Sequence, residues 1–309
     1  VYIDNIDAWA QIQFADMTSN PMYGGADLYA GGELVVSATI SADVNAISPY
    51  AFSQCRSLKR VVLSRGVVSI GERAFGNCYS LTSIVIPDSV IFIGDEAFCY
   101  CDALTDAAIP GSVGFIGAQA FYECKSLVSL VIPGGVTSIE DYAFYGCSSL
   151  ESVSIGKGVK SIGTRAFYGC EKLTSIVIPE SVKSIADGAF YGSGLTSIVI
   201  PDGVESIGNE VFSGCNSLIN INIPDSVIYI GTYAFFGCSK LTSLTIPESL
   251  TCIGPGAFDG CHGLTSVTFK NPDGWMANGS AFSAAELSNP ATAAEYLRDK
   301  YCDYIWSRS

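Results

Sequence analysis

Basic residues and histidine are scarce in this sequence, and the scarcity excludes several classes of function. Lys and Arg together number 16 in 309 residues against 30 Asp and Glu, so the formal net charge is −14. A nucleic-acid partner is excluded, because binding to a phosphate backbone depends on clustered cationic side chains and no basic stripe is present. The single histidine is His262, and no phosphate-binding loop or carboxylate pair stands out. We therefore predict that the chain is not an enzyme and needs no cofactor.

Long apolar runs are also missing, although the composition is hydrophobic. Hydrophobic residues make up 49% of the chain, and the mean hydropathy is +0.35. A membrane-spanning helix needs roughly 18 or more consecutive apolar residues, and no stretch approaches that length. The sequence therefore predicts no membrane span in this segment.

The sequence has instead a short repeat, marked by an Ala-Phe pair. The phenylalanines recur every 23 residues apart from one step of 22, and only Phe212 follows Val rather than Ala. They are Phe52, Phe75, Phe98, Phe121, Phe144, Phe167, Phe190, Phe212, Phe235 and Phe258. A short period repeated this often is typical of a solenoid, in which each unit buries its apolar face by stacking on its neighbours.

The repeat that begins at Leu127 shows how one coil is built. Leu127, Leu130 and Ile132 alternate with outward positions at the end of the segment, which predicts a short strand with these side chains in the core. Pro133 ends the strand, because proline cannot donate a ladder hydrogen bond. Residues 143–147 fit a helical or 3₁₀ turn. Strands of successive coils are expected to pair in parallel.

The repeat divides the chain into three segments. Residues 1–34 do not follow the period and are predicted to cap the first coil, with Trp9 and Phe14 as the lid. Residues 35–270 are predicted to form the solenoid. Residues 271–309 are predicted to form a C-terminal cap that contains a helix.

The C-terminal helix has a clear start signal. Asn289 is a favourable N-cap and Pro290 suits the first helical position, so a helix is predicted over residues 289–301. The side chains expected to cover the last coil are Tyr296, Leu297, Tyr301, Ile305 and Trp306.

One cysteine column runs through the repeat. It consists of Cys55, Cys78, Cys101, Cys124, Cys147, Cys170, Cys215, Cys238 and Cys261. We interpret the column as a structural ladder, whose small side chain fills a gap and reaches a backbone group in the turn. Disulfides between neighbouring coils are not expected, because Cβ atoms in a parallel ladder lie about 4.8 Å apart rather than about 3.8 Å. The spacing matches no metal site, and no metal is predicted. The off-register Cys99, Cys252 and Cys302 are candidates for a reactive thiol.

The residue after each Phe forms a second column, which is aromatic in several coils. Its aromatic members are Tyr122, Tyr145, Tyr168, Tyr191 and Phe236. Two interpretations stay open. The rings pack on one another and shield the turn, or they form an aromatic strip that binds a partner, since tyrosine offers a large contact area with few rotamers to restrict.

The outward positions of the predicted strands form a broad and mostly uncharged sheet face. The candidate binding residues on it are Ser129, Val131, Ser152, Ser175, Val177, Ser197, Val199, Asn220 and Asn222. A face of hydroxyl and aliphatic side chains is more apolar than solvation requires, which suggests that a partner covers it. Ordinary β-propensity on an exposed sheet is an equally good explanation.

The repeat L-x-x-[IV]-x-[IL]-P-x-x-V-x-x-I-G-x-x-A-F-x-x-C resembles the BspA-like, Treponema pallidum-type leucine-rich repeat. One coil matches it almost position by position, through Leu241, Leu244, Ile246, Pro247, Leu250, Ile253, Gly254, Ala257, Phe258 and Cys261. Ala186 and Glu140 depart from the Gly, and Gly156 and Ser64 depart from the Pro. The flanking segments are similar to those that border such arrays in large surface proteins of gut Firmicutes.

This resemblance implies a right-handed leucine-rich repeat solenoid with a parallel β-sheet on one face. Short 3₁₀ or helical turns and strands are expected on the other face, between N- and C-terminal caps. It also implies an extracellular location at the bacterial cell surface and adhesion to an extracellular protein or glycan of the host or a neighbouring cell. We therefore predict a secreted or surface-attached binding module. The alternative is a structural spacer, a repeat array that presents other domains of a larger surface protein.

Overall fold

The structure is a computed structural model that describes residues 1–308. It contains two compact units, Val1–Val159 and Lys160–Ser309, and coils of the repeat fill most of each unit. A coil consists of a first strand, a shorter second strand and a turn around the Ala-Phe pair.

The first strands of the first unit form one parallel sheet. They are Ser37–Ile40, Arg60–Leu63, Ser83–Val85, Asp106–Ala107, Ser129–Ile132 and Ser152–Ile155. Each residue pairs with its counterpart one repeat further on, as Ser129 pairs with Ser152 and Ile132 with Ile155. Alternate side chains are buried, so the period of two in the sequence decides which residues enter the core.

The second strands of the first unit are only two residues long. They are Ala46–Ile47, Ser69–Ile70, Phe92–Ile93, Phe115–Ile116 and Ser138–Ile139. The isoleucine of each strand is buried, and the residue before it is at least partly exposed. This short strand supplies the second wall of the core.

The second unit is built in the same way. Its first strands are Ser197–Val199, Asn220–Asn222, Ser243–Ile246 and Ser266–Phe269. Its second strands are Ser161–Ile162, Ser184–Ile185, Ser206–Ile207, Tyr229–Ile230 and Cys252–Ile253. The single deletion keeps the parallel register, since Ile185 pairs with Ile207. The predicted leucine-rich solenoid of parallel coils is therefore confirmed within each unit.

The turn around each Ala-Phe pair is flanked by two left-handed residues. In the coil of Phe98, Glu96 has a φ of 53° and Tyr100 a φ of 59°. The N–H groups of Cys99 and Cys101 donate to the carbonyls of Glu96 and Phe98, three residues back, as in a 3₁₀ helix. Because a right-handed helix requires negative φ throughout, the segment forms successive tight turns rather than a continuous helix.

The phenylalanines of these turns form the centre of each unit. Consecutive rings stack at centroid distances of 5.2–5.6 Å in the first unit and 5.1–5.7 Å in the second, and all are buried. Burying one such side chain stabilises the fold by roughly 1.5–3 kcal/mol. The Ala-Phe pair of the sequence is thus the main core contact of every coil.

Residues 1–34 form irregular structure with short elements. These are the strands Tyr2–Ile3, Tyr29–Ala30 and Glu33–Leu34, the helix Ile6–Ala10 and the 3₁₀ turn Met17–Ser19. Trp9 is buried, its ring lies 5.5 Å from that of Phe14, and its Nε1 donates to the carbonyl of Ala51 at 2.7 Å. The tryptophan therefore packs against the first coil as a lid requires. The segment boundaries at residues 34 and 270 stay predictions.

The C-terminal segment combines helices with strands. Its elements are the strands Trp275–Ala277, Ser280–Ala281 and Trp306–Arg308, the helices Ala284–Leu287 and Pro290–Glu295, and the π-helical turn Tyr296–Lys300. The helix start is confirmed, because the Asn289 side chain accepts hydrogen bonds from the N–H groups of Ala291 and Thr292. The α-helix is shorter than predicted, since it ends at Glu295.

Four of the five side chains expected to cover the last coil are at least partly buried. Leu297 and Trp306 are buried, and Tyr296 and Tyr301 are half-buried. Ile305 is 59% exposed, so its prediction is wrong. Ile305 directly precedes the strand Trp306–Arg308, which pairs antiparallel with Cys252–Ile253, and the inward Trp306 leaves the preceding side chain on the outer side.

Candidate binding surfaces

In the first unit, the predicted residues of the sheet face point outward. Ser129, Val131 and Ser152 are exposed, and Val131 has 60% of its surface accessible. The side chains between them enter the core. Two charged residues, Arg60 and Asp106, stand in the same outward row. This part of the face is therefore mixed in character.

In the second unit, the sheet face carries no charged residue at its outward strand positions. The predicted residues Ser175, Val177, Ser197, Val199, Asn220 and Asn222 are all exposed, and the rows continue with Ser243, Thr245, Ser266 and Thr268. Val177 is 80% exposed and Val199 64%. The outward positions of the second unit therefore combine exposed aliphatic side chains with hydroxyl and amide groups.

The predicted aromatic strip contains one stacked tyrosine pair in each unit. In the first unit, the rings of Tyr122 and Tyr145 stack at 4.8 Å, and Tyr100 packs edge-on against Tyr122 at 5.3 Å. In the second unit, Tyr168 and Tyr191 stack at 4.5 Å. All four predicted tyrosines are half-buried.

Stacking limits what these tyrosines can present to a partner. Each stacked ring covers one face of its neighbour, which leaves ring edges and hydroxyl groups accessible. Partial burial, together with the neighbouring Tyr100 and Tyr145, raises the pKa of Tyr122 to about 12. Within each stacked pair the arrangement therefore suits packing over the turn, and an open ring face remains only where a stack ends.

Sequence reasoning missed several aromatic residues at the left-handed positions. Tyr142 lies 5.9 Å from Tyr145, and Tyr233 packs edge-to-face on Phe236 at 5.6 Å. Tyr100 occupies the second left-handed column. Glycine fills these two columns in several other coils, and that substitution pattern is the signal that could have identified them.

The nine cysteines of the predicted ladder are buried free thiols. The Sγ of Cys124 donates to the carbonyl of Phe98 at 3.1 Å, and that of Cys147 to the carbonyl of Phe121 at 3.2 Å. The same contact, from one coil to the Phe of the coil before, recurs in both units. Burial raises the pKa of Cys147 to about 12 and that of Cys215 to about 11.

The off-register cysteines differ from one another. Cys99 is buried, and burial raises its pKa to about 12, so the prediction of a reactive thiol is wrong there. Cys99 directly follows Phe98 in the chain. Its Sγ lies close to Gly76, 3.1 Å from the point where a Cβ at that glycine would stand. Cys252 and Cys302 are half-buried, and burial raises the pKa of each. These two remain the accessible thiols.

Clusters of metal-ligating side chains and long apolar helices are not found in the part of the chain that the structure describes. Residues 1–308 hold no group of three or more His, Cys, Asp or Glu side chains suited to a metal ion. His262 is exposed. Over the same range, none of the helices has the length and apolar character to cross a bilayer.

Solved structures of bacterial repeat proteins are similar to this chain. A leucine-rich repeat protein from Bacteroides ovatus is 27% identical with a TM-score of 0.56, over 76% of this chain and 73% of that protein. A leucine rich cell surface protein from Faecalibacterium prausnitzii is 28% identical with a TM-score of 0.53, over 77% of this chain and 88% of that protein. The pneumococcal vaccine antigen PcpA is 25% identical with a TM-score of 0.55, over 77% of this chain and 63% of PcpA.

Sequence comparison gives the family. No curated protein matches the chain. The profile of the BspA type Leucine rich repeat region matches residues 26–149, 114–194 and 183–294, in six copies. These matches span most of the sequence and include the coils of both units. The chain therefore belongs to the BspA-type leucine-rich repeat family.

Proposed function

We propose that the chain is an extracellular binding module of a bacterial cell surface and that its sheet face contacts a protein partner. Leucine-rich repeat domains generally mediate protein interactions rather than catalysis. The surface location is supported by the cell surface protein of F. prausnitzii and by the vaccine antigen PcpA, which share the fold.

The observation that carries this proposal is the exposure of Val177 and Val199 on the uncharged sheet face of the second unit. Burying apolar surface stabilises a complex by roughly 25 cal/mol for each Å² removed from water. A partner that covers these methyl groups would therefore gain binding free energy. The neighbouring Ser and Asn side chains supply hydrogen bonds without the desolvation cost of charges. The aromatic strip is the second candidate surface, and it contributes hydroxyl groups and ring edges.

A binding screen with paired variants tests the proposal. The chain is titrated against immobilised fibronectin, fibrinogen, collagen and mucin, beside a Val177→Lys/Val199→Lys variant. The control is Ile228→Lys/Ile305→Lys, which adds the same charge at other exposed apolar positions of the second unit. We expect saturable binding that the sheet variant weakens at least about tenfold, because desolvating two lysines costs more than about 1.4 kcal/mol. The control variant should bind like the parent chain.

Three outcomes would contradict the proposal in different ways. No saturable binding at micromolar concentration by a folded sample would favour the structural spacer. Equal losses in both lysine variants would mean that added charge, rather than the sheet face, weakens binding. Loss of binding in a Tyr122→Ala/Tyr145→Ala/Tyr168→Ala/Tyr191→Ala variant, with the sheet variant unaffected, would assign the contact to the aromatic strip.

A further inference from the structure

The aromatic column of the second unit is interrupted at Ser213, and a cavity of about 300 Å³ opens at that point. It is lined by Tyr191, Glu210, Ser213, Tyr233, Phe236 and Asp259. All six residues belong to turns around the repeat phenylalanines rather than to the strands of the sheet face. The cavity is therefore a separate feature of the unit.

The cavity exists because one ring of the column is missing. Tyr191 occupies this position in the preceding coil, and Tyr168 occupies it in the coil before that. Their rings stack at a centroid distance of 4.5 Å. Ser213 places a hydroxymethyl group where the next ring would stand. The buried Phe rings of these coils keep their ordinary spacing, 5.7 Å from Phe190 to Phe212. The coils therefore do not close up, and the place of one ring stays open between Tyr191 and Phe236.

Aromatic side chains form both walls of this space. Tyr191 stacks on Tyr168 through one face, so its other face is directed toward the coil of Ser213. On the far side, Tyr233 and Phe236 pack edge-to-face, with an interplanar angle of 86°. Gly256 makes room for Tyr233, since a Cβ at that glycine would lie 2.2 Å from the ring.

The rim of the space is acidic. Glu210 and Asp259 line it, and among residues 1–308 neither carboxylate takes part in an ion pair. The chain as a whole has a formal charge of −14. Aromatic faces attract cations through their quadrupole, and carboxylates attract them directly, so both features favour a positively charged group.

We propose that this cavity binds the guanidinium group of an arginine side chain from a protein partner. A guanidinium is planar and stacks on aromatic rings, and its fork of N–H donors pairs with carboxylates, whereas an ammonium group is a compact point charge. The volume lies at the lower end of the range for ligand pockets, which suits one side chain rather than a larger ligand. Because the cavity residues are turn residues, this proposal stands or falls independently of the sheet-face contact.

Three acetylated and amidated tripeptides, Gly-Arg-Gly, Gly-Lys-Gly and Gly-citrulline-Gly, test the ligand assignment. Citrulline keeps the planar shape of arginine without its charge. Titration followed by NMR should show saturable binding of the arginine peptide with a dissociation constant of about 1 mM or below. The citrulline peptide should bind at least about tenfold more weakly than the arginine peptide. The lysine peptide should bind at least about threefold more weakly. No binding of the arginine peptide, or equal binding of either analogue, would overturn the assignment.

Variants at Ser213 test the location. Ser213→Tyr fills the space with the residue that the column carries elsewhere, and it should abolish binding while circular dichroism and thermal stability stay close to those of the parent. Glu210→Gln/Asp259→Asn keeps the volume and should weaken binding at least about tenfold, which decides the matter if Ser213→Tyr fails to fold. The control Asp202→Asn/Glu205→Gln removes the same charge at exposed positions outside the cavity and should bind like the parent chain. Unchanged binding in Ser213→Tyr, or in Glu210→Gln/Asp259→Asn, would overturn the proposal.

Discussion

At the scale of single residues, the cysteine column shows why a thiol recurs in these coils. The carbonyl of Phe98 accepts one hydrogen bond from the N–H of Cys101 in its own coil and another from the Sγ of Cys124 in the next. A thiol is small and apolar enough for the core, and it still has a weak donor for the second lone pair of that carbonyl. Ser193 takes this position in the shortened coil and contacts the Sγ of Cys215 at 3.3 Å.

Titration of a ladder thiol should make stability sensitive to alkaline pH. Burial raises the pKa of Cys147 from 9.0 to about 12. The unfolded chain therefore releases this proton first, and the stability that the protonated thiol contributes is full below pH 9 and is lost between pH 9 and about 12. Relative to a Cys147→Ser variant, the parent should lose about 1.4 kcal/mol of unfolding free energy per pH unit in that range.

Urea unfolding of the two proteins at pH 7 and at intervals above pH 9 measures this difference. The comparison cancels the titration of tyrosines and lysines, which both chains share. A gap between parent and variant that stays constant with pH would show that the thiol is not held protonated by the fold.

At the scale of the elements, the strands of the coil could be predicted from a single repeat, whereas the left-handed residues of the turn could not. Alternation at Leu130 and Ile132 fixes a strand locally, because only one side of it can enter the core. The left-handed residues Glu96 and Gln119 carry no such signal, since their side chains do not favour positive φ. Their conformation follows from the packing of Ala-Phe pairs in neighbouring coils, a tertiary effect that a single repeat does not reveal.

The C-terminal strand was missed for a similar reason. Trp306–Arg308 forms a strand because it pairs antiparallel with Cys252–Ile253 and with Trp275–Ala277. Both partners lie far from Trp306 in the sequence, so the local residues carry no signal for the pairing. The capped start of the helix at Asn289, in contrast, depends on two neighbouring N–H groups and was predictable.

Two phenylalanines of one coil separate the effect of burial from that of ring stacking. Phe98 is fully buried and stacks on Phe75 and Phe121 at 5.5 and 5.2 Å, whereas the exposed Phe92 stacks on Phe115 at 5.0 Å. Phe98→Ala should destabilise the chain by about 3–5 kcal/mol, since it leaves a cavity in the core. Phe92→Ala should cost about 1 kcal/mol, the value of an aromatic pair on a surface.

Equilibrium unfolding in urea gives both values, with circular dichroism of the folded state as the control. Equal losses for the two variants would show that ring stacking, rather than burial in the coil, provides the stability of the Phe column.

At the scale of the whole molecule, one candidate surface followed from periodicity and the other did not. The sheet face could be predicted because outward strand positions, such as Val177 and Val199, are fixed once the inward ones are known. The cavity at Ser213 depends on rings from the coils before and after it, and on carboxylates from two turns that are separated by one coil. Serine at a variable position of the repeat carries no signal in the sequence. The cavity is recognised only from the positions of the residues around Ser213.

Methyl NMR on the partner complex tests most directly the claim that the uncharged sheet face is the contact surface. The chain is labelled at Val and Ile methyl groups and titrated with the partner that the screen selects. We expect the largest shift changes at Val177 and Val199. The buried Val182 and Val204, and the exposed Ile228 outside the first strands, should change little. Unperturbed Val177 and Val199 methyl signals at saturation would contradict the account.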